Sequence, residues 1–233
     1  MFLSVVMPVY NEEASIEPVV LEHVRVLEEL SPRVSEWEVV CVDDASRDRS
    51  PEILAALSRR EPRLRVLRNP TNLGIYGAFT RCYQEARGDY IYFTGSDGQW
   101  PAENLLAMFE RVLAGADLVV GVRTNRHEVY TLPRRVVSYF YNLLPGLLFG
   151  VPVQDAGSVK VGRRAIFQFD LVSRSPFFEA ERIIKAVRAG YRVDFVPIRF
   201  VPRAGGKARG GSWKNIRTSV RDMLSCFRVY GIR

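Results

Sequence analysis

The sequence predicts an α/β fold in which a mainly parallel central sheet carries helices on both faces. Short apolar runs alternate with segments of helical periodicity through the first half of the chain. Each of these runs closes in a polar cluster, Asn11-Glu12-Glu13, Asp43-Asp44 or Asp97-Gly98-Gln99 among them. Buried strands separated by helices imply right-handed crossovers, and ligands of such sheets gather at the carboxyl ends of the strands.

Phe2 to Val9 is the first strand, and Ala14 to Leu30 then carries apolar residues at helical spacing. Trp37 to Val42 is a second buried run, followed by a helix over Pro51 to Ser58 with Ser50 as its expected N-cap. Arg65 to Arg68 forms a third strand and leads through Asn69-Pro70-Thr71-Asn72-Leu73-Gly74 into a helix ending at Ala86. Tyr90 to Thr94 is the fourth strand, and the turn after it carries Asp97. The second half is less regular. Leu118 to Val122 reads as a strand, Arg134 to Leu148 as an amphipathic helix, Phe178 to Ala189 as a helix stopped by Gly190, and Tyr191 to Val201 as a strand. Residues 202–212 are rich in Gly and basic side chains and read as a loop.

With 233 residues and 47% hydrophobic content, the chain can bury one large core. Its 33 Lys and Arg against 26 Asp and Glu leave a net charge of +7, which favours anionic partners such as nucleotides, lipid phosphates or an anionic membrane. The excess is concentrated at one end: Arg199 to Arg233 holds nine Lys and Arg against the single acidic residue Asp222. No groove-reading motif accompanies it, which excludes nucleic acid as a partner. Cys41, Cys82 and Cys226 lack CxxC spacing and suggest neither a disulfide framework nor a zinc site, in keeping with a reducing cytoplasm. His23 and His127 also lack metal-ligand spacing and are expected to be non-catalytic. The first residues show no secretory leader. The longest apolar stretch, Val136 to Phe149, is interrupted by Ser138, Asn142 and Pro145 and falls short of the roughly 20 residues of a spanning helix. Any membrane contact is therefore expected to be peripheral, at the cytosolic face.

Four motifs follow one another: Pro8-Val9-Tyr10-Asn11-Glu12-Glu13, VDDASRDRS from Val42 to Ser50, NLGIYGA from Asn72 to Ala78, and SDGQWP from Ser96 to Pro101. In this order and spacing the chain, from about Leu3 to Ser212, resembles the inverting family 2 glycosyltransferases of GT-A fold, the nucleotide-diphospho-sugar transferase architecture. Within them it is most similar to the branch of dolichyl-phosphate mannose synthase and bacterial polyprenyl-phosphate glycosyltransferases. The resemblance implies transfer of a hexose from a UDP- or GDP-linked donor to a polyprenyl or dolichyl phosphate, with inversion. A soluble family 2 enzyme acting on a sugar, natural-product or protein hydroxyl, and a non-catalytic nucleotide-sugar binder, are the alternatives.

By the same resemblance, Pro8, Tyr10, Glu12 and Asp43 line a nucleoside pocket, with Asp44, Asn72 and Gly74 beside it. A carboxylate at a strand end can accept hydrogen bonds from ribose hydroxyls or a base N–H. Glu12 and Glu13 also suit the first turn of a helix through its dipole, and Asp44 also suits a purely structural role. Relatives place an Asp-x-Asp at the diphosphate, where a hard divalent cation offsets charge on the leaving group. Here Gly95 stands at the first Asp, leaving Asp97 and Gln99 as oxygen ligands for Mg²⁺ or Mn²⁺; an Asp-Gly turn with no ligand is the alternative.

Arg123, Arg134 and Ser138 resemble the residues that hold donor and acceptor phosphates, and Arg134 and Ser138 share a helix face at a spacing of four. Arg203, Lys207 and Ser212 fall in the counterpart of a basic loop that closes over the donor in similar enzymes. Asp155 and Lys160 stand in an acceptor segment, where a lipid phosphate, already anionic, needs no general base; Asp155 is then expected to orient Arg134 or Lys160. The acidic start of the helix at Phe178-Glu179-Ala180-Glu181 either braces the site or serves the helix dipole. The domain reading is 1–212 for the GT-A unit and 213–233 for a C-terminal basic amphipathic helix. In that helix Trp213, Ile216, Val220, Met223, Leu224, Phe227 and Tyr230 recur at helical spacing. Such a helix either lies on an anionic membrane surface or packs on the domain.

Overall fold

The structure, a computed structural model, describes residues 1–125, 132–203 and 213–231, without the side chains of residues 132–134, 136, 137 and 214. His127, Lys207 and Ser212 lie outside the described residues, as does the side chain of Arg134. Seven strands, β1 (Phe2–Val9), β2 (Glu36–Asp43), β3 (Leu64–Arg68), β4 (Tyr90–Phe93), β5 (Leu118–Arg123), β6 (Lys160–Arg163) and β7 (Val193–Ile198), form one sheet in the order β3-β2-β1-β4-β6-β5-β7. All pairings are parallel except those of β6, which runs antiparallel to both β4 and β5. The mainly parallel α/β sheet expected from the sequence is therefore present, with one reversed strand inserted.

Helices α1 (Ile16–Leu30), α2 (Ser50–Arg60) and α4 (Asn104–Leu113) pack Val19, Leu27, Leu54, Leu105 and Phe109 against one face of the sheet. The other face is covered by α3 (Gly74–Glu85), α5 (Leu132–Phe149), the short α6 (Arg164–Phe167), α7 (Phe178–Arg188) and α8 (Trp213–Tyr230), through Cys82, Tyr83, Phe149, Phe167, Ile183 and Met223. Each fully buried aliphatic or aromatic side chain contributes about 1.5–3 kcal/mol relative to exposure. Two cores sharing one sheet hold the strand ends in fixed register. All three cysteines are buried and unpaired, and none of the described helices is long and apolar enough to cross a membrane.

Two local expectations are corrected. Ser50 does not cap α2; its Oγ instead accepts the backbone N–H of Glu12 at 2.9 Å, tying two loops together. The last strand stops at Ile198 rather than Val201, because the chain then leaves the sheet and Val201 N donates to Gln99 O at 3.0 Å.

The C-terminal helix is docked by more than its apolar stripe. Asp222 accepts the N–H groups of Arg174 and Ser175 at 3.0 and 2.9 Å, and Tyr230 Oη donates to Glu181 at 2.9 Å. Met223 and Cys226 are buried, whereas Trp213, Val220, Leu224 and Val229 on other sides of the helix are exposed.

His23 is a core residue. It is fully buried on α1, with Nδ1 2.7 Å from Val19 O, and burial pulls its pKa down to about 4. The imidazole is therefore neutral in the folded chain while the unfolded chain protonates it near pH 6.5. Because the unfolded state binds the extra proton, stability falls as pH drops from about 6.5 towards 4, by up to about 3 kcal/mol. Urea melts between pH 7 and 4 are expected to show this loss, and His23→Gln is expected to flatten the dependence; an unchanged slope would show that the imidazole is not held neutral.

Candidate active site

The turns after β1 and β2 are stitched into one unit. Asn11 and Ala45 adopt positive φ angles of 55° and 59°, a left-handed conformation uncommon outside glycine and costly unless its surroundings impose it. Asn11 N donates to Ser46 Oγ, Arg47 N to Asn11 Oδ1, Glu13 N to Asp48 Oδ2 and Arg49 N to Glu13 Oε2, all within 3.0 Å. Asp43 Oδ1 caps Ser46 N at 3.0 Å, and its Oδ2 forms an ion pair with Arg68 at 3.2 Å. Asp44 is clasped by Asn69 Nδ2, Leu73 N and Gly74 N at 2.6–3.0 Å, and its carbonyl accepts Asn72 Nδ2 at 3.1 Å. The Asp44 carboxylate thus pins the 69–74 loop and brings Asn72 and Gly74 together with it. A cavity of about 400 Å³ opens beside these turns, lined by residues 11–15, Arg47 and Asp48. Of the expected nucleoside residues only Glu12 lines it. Arg47 and Asp48, both in the VDDASRDRS motif, line it beside Glu12.

The second cluster assembles residues more than 100 positions apart. Ser96 Oγ donates to Pro8 O at 2.8 Å and Ser15 Oγ to Ser96 O at 2.9 Å, fixing the turn after β4 against the end of β1. Asp97 Oδ1 accepts Gln99 N at 3.2 Å, a turn bond made possible by Gly98 at φ +72°. Asp97 Oδ2 accepts Arg203 Nη2 at 2.7 Å, and the same nitrogen lies 3.4 Å from Glu12 Oε1. One guanidinium therefore bridges two carboxylates from different strand ends. Gln99 Nε2 donates to Val201 O at 3.4 Å, which helps lay the 199–203 segment over the turn.

Next to this cluster, Arg123 is oriented by Asp155, which accepts its N–H and Nε at 2.8 and 3.0 Å. The Arg123 guanidinium lies 5.3 Å from the ring centres of both Trp100 and Phe200. Arg123 is thus paired directly with Asp155, whereas the Arg134 side chain lies outside the described residues and Lys160 makes its direct ion pair with Glu179. Asp155 takes a left-handed φ of 46° at the tip of its turn, which aims its carboxylate at the end of β5. Lys160 enters β6 pointing into the helical layer and is fully buried, with Nζ donating to Ala156 O and Ser158 O and paired with Glu179 at 2.9 Å. In this geometry the Lys160 ammonium is not presented to an acceptor. Burial acts to raise the Glu179 carboxyl, but Lys160 and Arg182 outweigh it and hold it below the usual carboxylate range. Glu179 is thus a buried counter-charge rather than a dipole residue alone. Ser138, half-buried on α5, accepts Asn142 Nδ2 at its carbonyl at 2.6 Å.

The residues fit a divalent cation with help from a ligand. Among the described residues no group of three or more Asp, Glu, His or Cys is placed to hold a metal ion by itself. Glu12 and Asp97 nevertheless already share one cation, the Arg203 guanidinium, so the pair can neutralise positive charge at that point. A side chain at position 95 would begin 3.2 Å from Asp97 Oδ1 and 3.3 Å from the Trp100 ring. A second carboxylate there would lie against the first, and glycine leaves that coordination position to a substrate oxygen or water.

Residues 4–174 match the profile described as Glycosyl transferase family 2. Among curated proteins, the chain is 32% identical over 212 residues to glycosyltransferase AglD of Haloferax volcanii, covering 88% of this chain and 34% of that one. It is 31% identical over 236 residues to the undecaprenyl-phosphate 4-deoxy-4-formamido-L-arabinose transferase of Pseudomonas paraeruginosa, covering 99% of this chain and 66% of that one. The chain thus spans between a third and two thirds of the length of these relatives. Among solved structures it is similar to glucosyl-3-phosphoglycerate synthase of Mycobacterium tuberculosis, bound there to Mn²⁺, UDP and glucosyl-3-phosphoglycerate. That likeness has a TM-score of 0.68 at 21% identity over 96% of this chain and 78% of the other, and it shows the GT-A fold.

Because Arg203 and a divalent ion would compete for the same carboxylates, Arg203→Gln is expected to tighten Mn²⁺ binding about tenfold, or about 1.4 kcal/mol, without nucleotide. Electron paramagnetic resonance titration of free Mn²⁺ measures this, and unchanged or weaker binding would show that the guanidinium does not occupy the cation position.

Proposed function

The chain belongs to glycosyl transferase family 2, and from that premise we propose that it moves a hexose from a UDP- or GDP-linked sugar to a polyprenyl phosphate, with inversion at the anomeric carbon. The observation that carries this reading is the strand-end cluster of Glu12, Asp97 and Arg203 beside the Asp155-held Arg123, which offers paired charges of both signs where a parallel sheet receives its ligand. The printed name of the relative matched over 99% of this chain supplies the acceptor class.

In the proposed reaction an oxygen of the acceptor phosphate attacks the anomeric carbon as the bond to the donor diphosphate breaks. The electron pair leaves on the diphosphate, and the acceptor, already anionic, releases no proton. Arg123, held in orientation by Asp155, together with Arg134 and Ser138 on α5, would position phosphate oxygens. Pro8, Tyr10, Glu12 and Asp43 would frame the nucleoside. Asp97, with Gln99 and Glu12, would hold Mg²⁺ or Mn²⁺, which when bound neutralises charge on the diphosphate. Arg203 would then exchange the carboxylates for diphosphate oxygens, with Lys207 and Ser212, which follow it in the sequence, proposed to act in the same basic loop.

We further propose a peripheral seat on the cytosolic face of an anionic membrane. On α5, Tyr139, Phe140 and Leu143 are exposed and Leu147 is 65% exposed; on α8, which contacts α5, Trp213 is 84% exposed and Leu224 also faces outward. Arg217 and Arg221 are exposed on the same helix. Apolar side chains flanked by arginines suit the headgroup boundary of an anionic bilayer.

With radiolabelled UDP- or GDP-hexose and undecaprenyl phosphate, label is expected to partition into chloroform. Asp97→Asn is expected to cut this at least about 100-fold with little change in melting temperature; label confined to water-soluble product would overturn the acceptor. Leu147→Glu combined with Leu224→Glu is expected to abolish sedimentation with anionic vesicles, and sedimentation equal to the unsubstituted chain would overturn the membrane seat.

A further inference from the structure

Outside the strand-end clusters, the helical layer holds a second cavity of about 520 Å³, between α3 and the 167–174 segment. Tyr76, Tyr83, Phe167 and Phe169 contribute aromatic walls, and Thr80, Gln84 and Gln168 are polar lining groups. None of its lining residues belongs to the Glu12, Asp97 and Arg203 cluster or to the Arg123–Asp155 pair.

Arg182 also lines this cavity although it is only 3% exposed. Its guanidinium is partly engaged: Nη1 donates to Ile166 O at 2.8 Å, Nε lies 3.4 Å from Glu179 Oε1, and the plane lies 4.7 Å from the centre of the Tyr83 ring. Nη2 has no acceptor among the described residues. Glu179 is shared between two buried cations, Lys160 and Arg182, and an unmet donor on a buried guanidinium is costly unless an anion or solvent meets it. A second guanidinium, Arg174, lies at the exposed side of the cavity over Tyr76, opposite the exposed carboxylate Asp170.

We propose that this cavity is a binding site for a small oxyanion, a phosphate or carboxylate, carried on a planar apolar body. The oxyanion meets Arg182 Nη2, the guanidinium nitrogen without an acceptor among the described residues, while the ring lies among Tyr76, Tyr83, Phe167 and Phe169. The volume suits a ligand of that size, since small-molecule sites span roughly 300–1,000 Å³. Arg174 sets the preference for an anion at the entrance against the opposing charge of Asp170. The site is separate from the one that would take the sugar donor, and its occupancy does not depend on the chemistry proposed there.

The test is a saturation-transfer NMR titration of the whole chain with phenyl phosphate. Saturable binding at one site is expected, weakened at least tenfold in Arg182→Met and unaffected by Arg203→Gln in the strand-end cluster. Because Arg182 is buried and its replacement can unfold the chain, Gln84→Trp provides the second variant: Gln84 is exposed on α3, and the indole fills the cavity while leaving Arg182 in place. Loss of binding in Gln84→Trp with an unchanged melting temperature supports the site. Binding that is absent, that survives Gln84→Trp, or that is lost in Arg203→Gln overturns it.

Discussion

A parallel sheet that gathers carboxylates at one edge must also supply their counter-charges, and much of this structure answers that constraint. Glu12, Asp43, Asp44 and Asp97 all follow strands whose carboxyl ends point the same way, and Asp155 joins them from the turn before β6. Like charges brought together in a partly dry cleft repel or force protonation. Each carboxylate instead meets a donor: Arg68 for Asp43, backbone and amide N–H groups for Asp44, the shared Arg203 for Glu12 and Asp97, Arg123 for Asp155. The groups divide by the kind of partner. Backbone N–H partners are built into the loops and pin them, whereas an arginine on a long stem can be exchanged for another cation.

That division separates scaffold from site. Asp44 resembles Asp97 in its place after a strand, yet its oxygens accept from Asn69, Leu73 and Gly74, residues that are themselves part of the loop entering α3. Asp97 bonds one backbone N–H and otherwise faces the side chain of a residue 106 positions away. A ligand can displace the second kind of contact without unfolding a loop. The left-handed Asn11, Ala45 and Asp155 lie in turns that anchor or neighbour these carboxylates, and their strain is held by bonds between backbone and side chain, such as Asn11 N–H donating to Ser46 Oγ.

The helical layer repeats the same electrostatic problem in a drier setting. Lys160, Glu179 and Arg182 are buried together, and Tyr83 donates its hydroxyl, at 3.0 Å, to the carboxylate that the two cations share. Glu181, two residues beyond Glu179 in the same helix, and Asp222 on α8 are satisfied by N–H and hydroxyl donors and fasten α8 to the domain. The C-terminal helix is consequently both a core element through Met223 and Cys226 and an exposed one through Trp213 and Leu224. Of the two readings that its sequence left open, packing on the domain describes the Met223 and Cys226 side, and the membrane seat is a proposal about the other.

The sequence by itself determined the alternation of strand and helix through the first half, because Val-rich runs and polar strand ends report burial and turns locally. It also determined the position of Asp97 and the absence of a carboxylate at Gly95, since a motif is a property of neighbours in the chain. Helix α4 and the reversed strand β6 were not legible: an amphipathic helix after Pro101 carries no strong cap, and β6 reads Lys-Val-Gly-Arg, without the apolar run that marks the equally short β4. The partners of the charged groups were decided only by the tertiary structure. Arg203 meets Asp97 because the chain leaves β7 and crosses Gln99. Arg123 rather than Lys160 meets Asp155 because β6 turns Lys160 into the helical layer, where Glu179 awaits it. Spacing fixes which face a side chain takes on its own element, whereas ion pairing depends on which elements the sheet order makes neighbours.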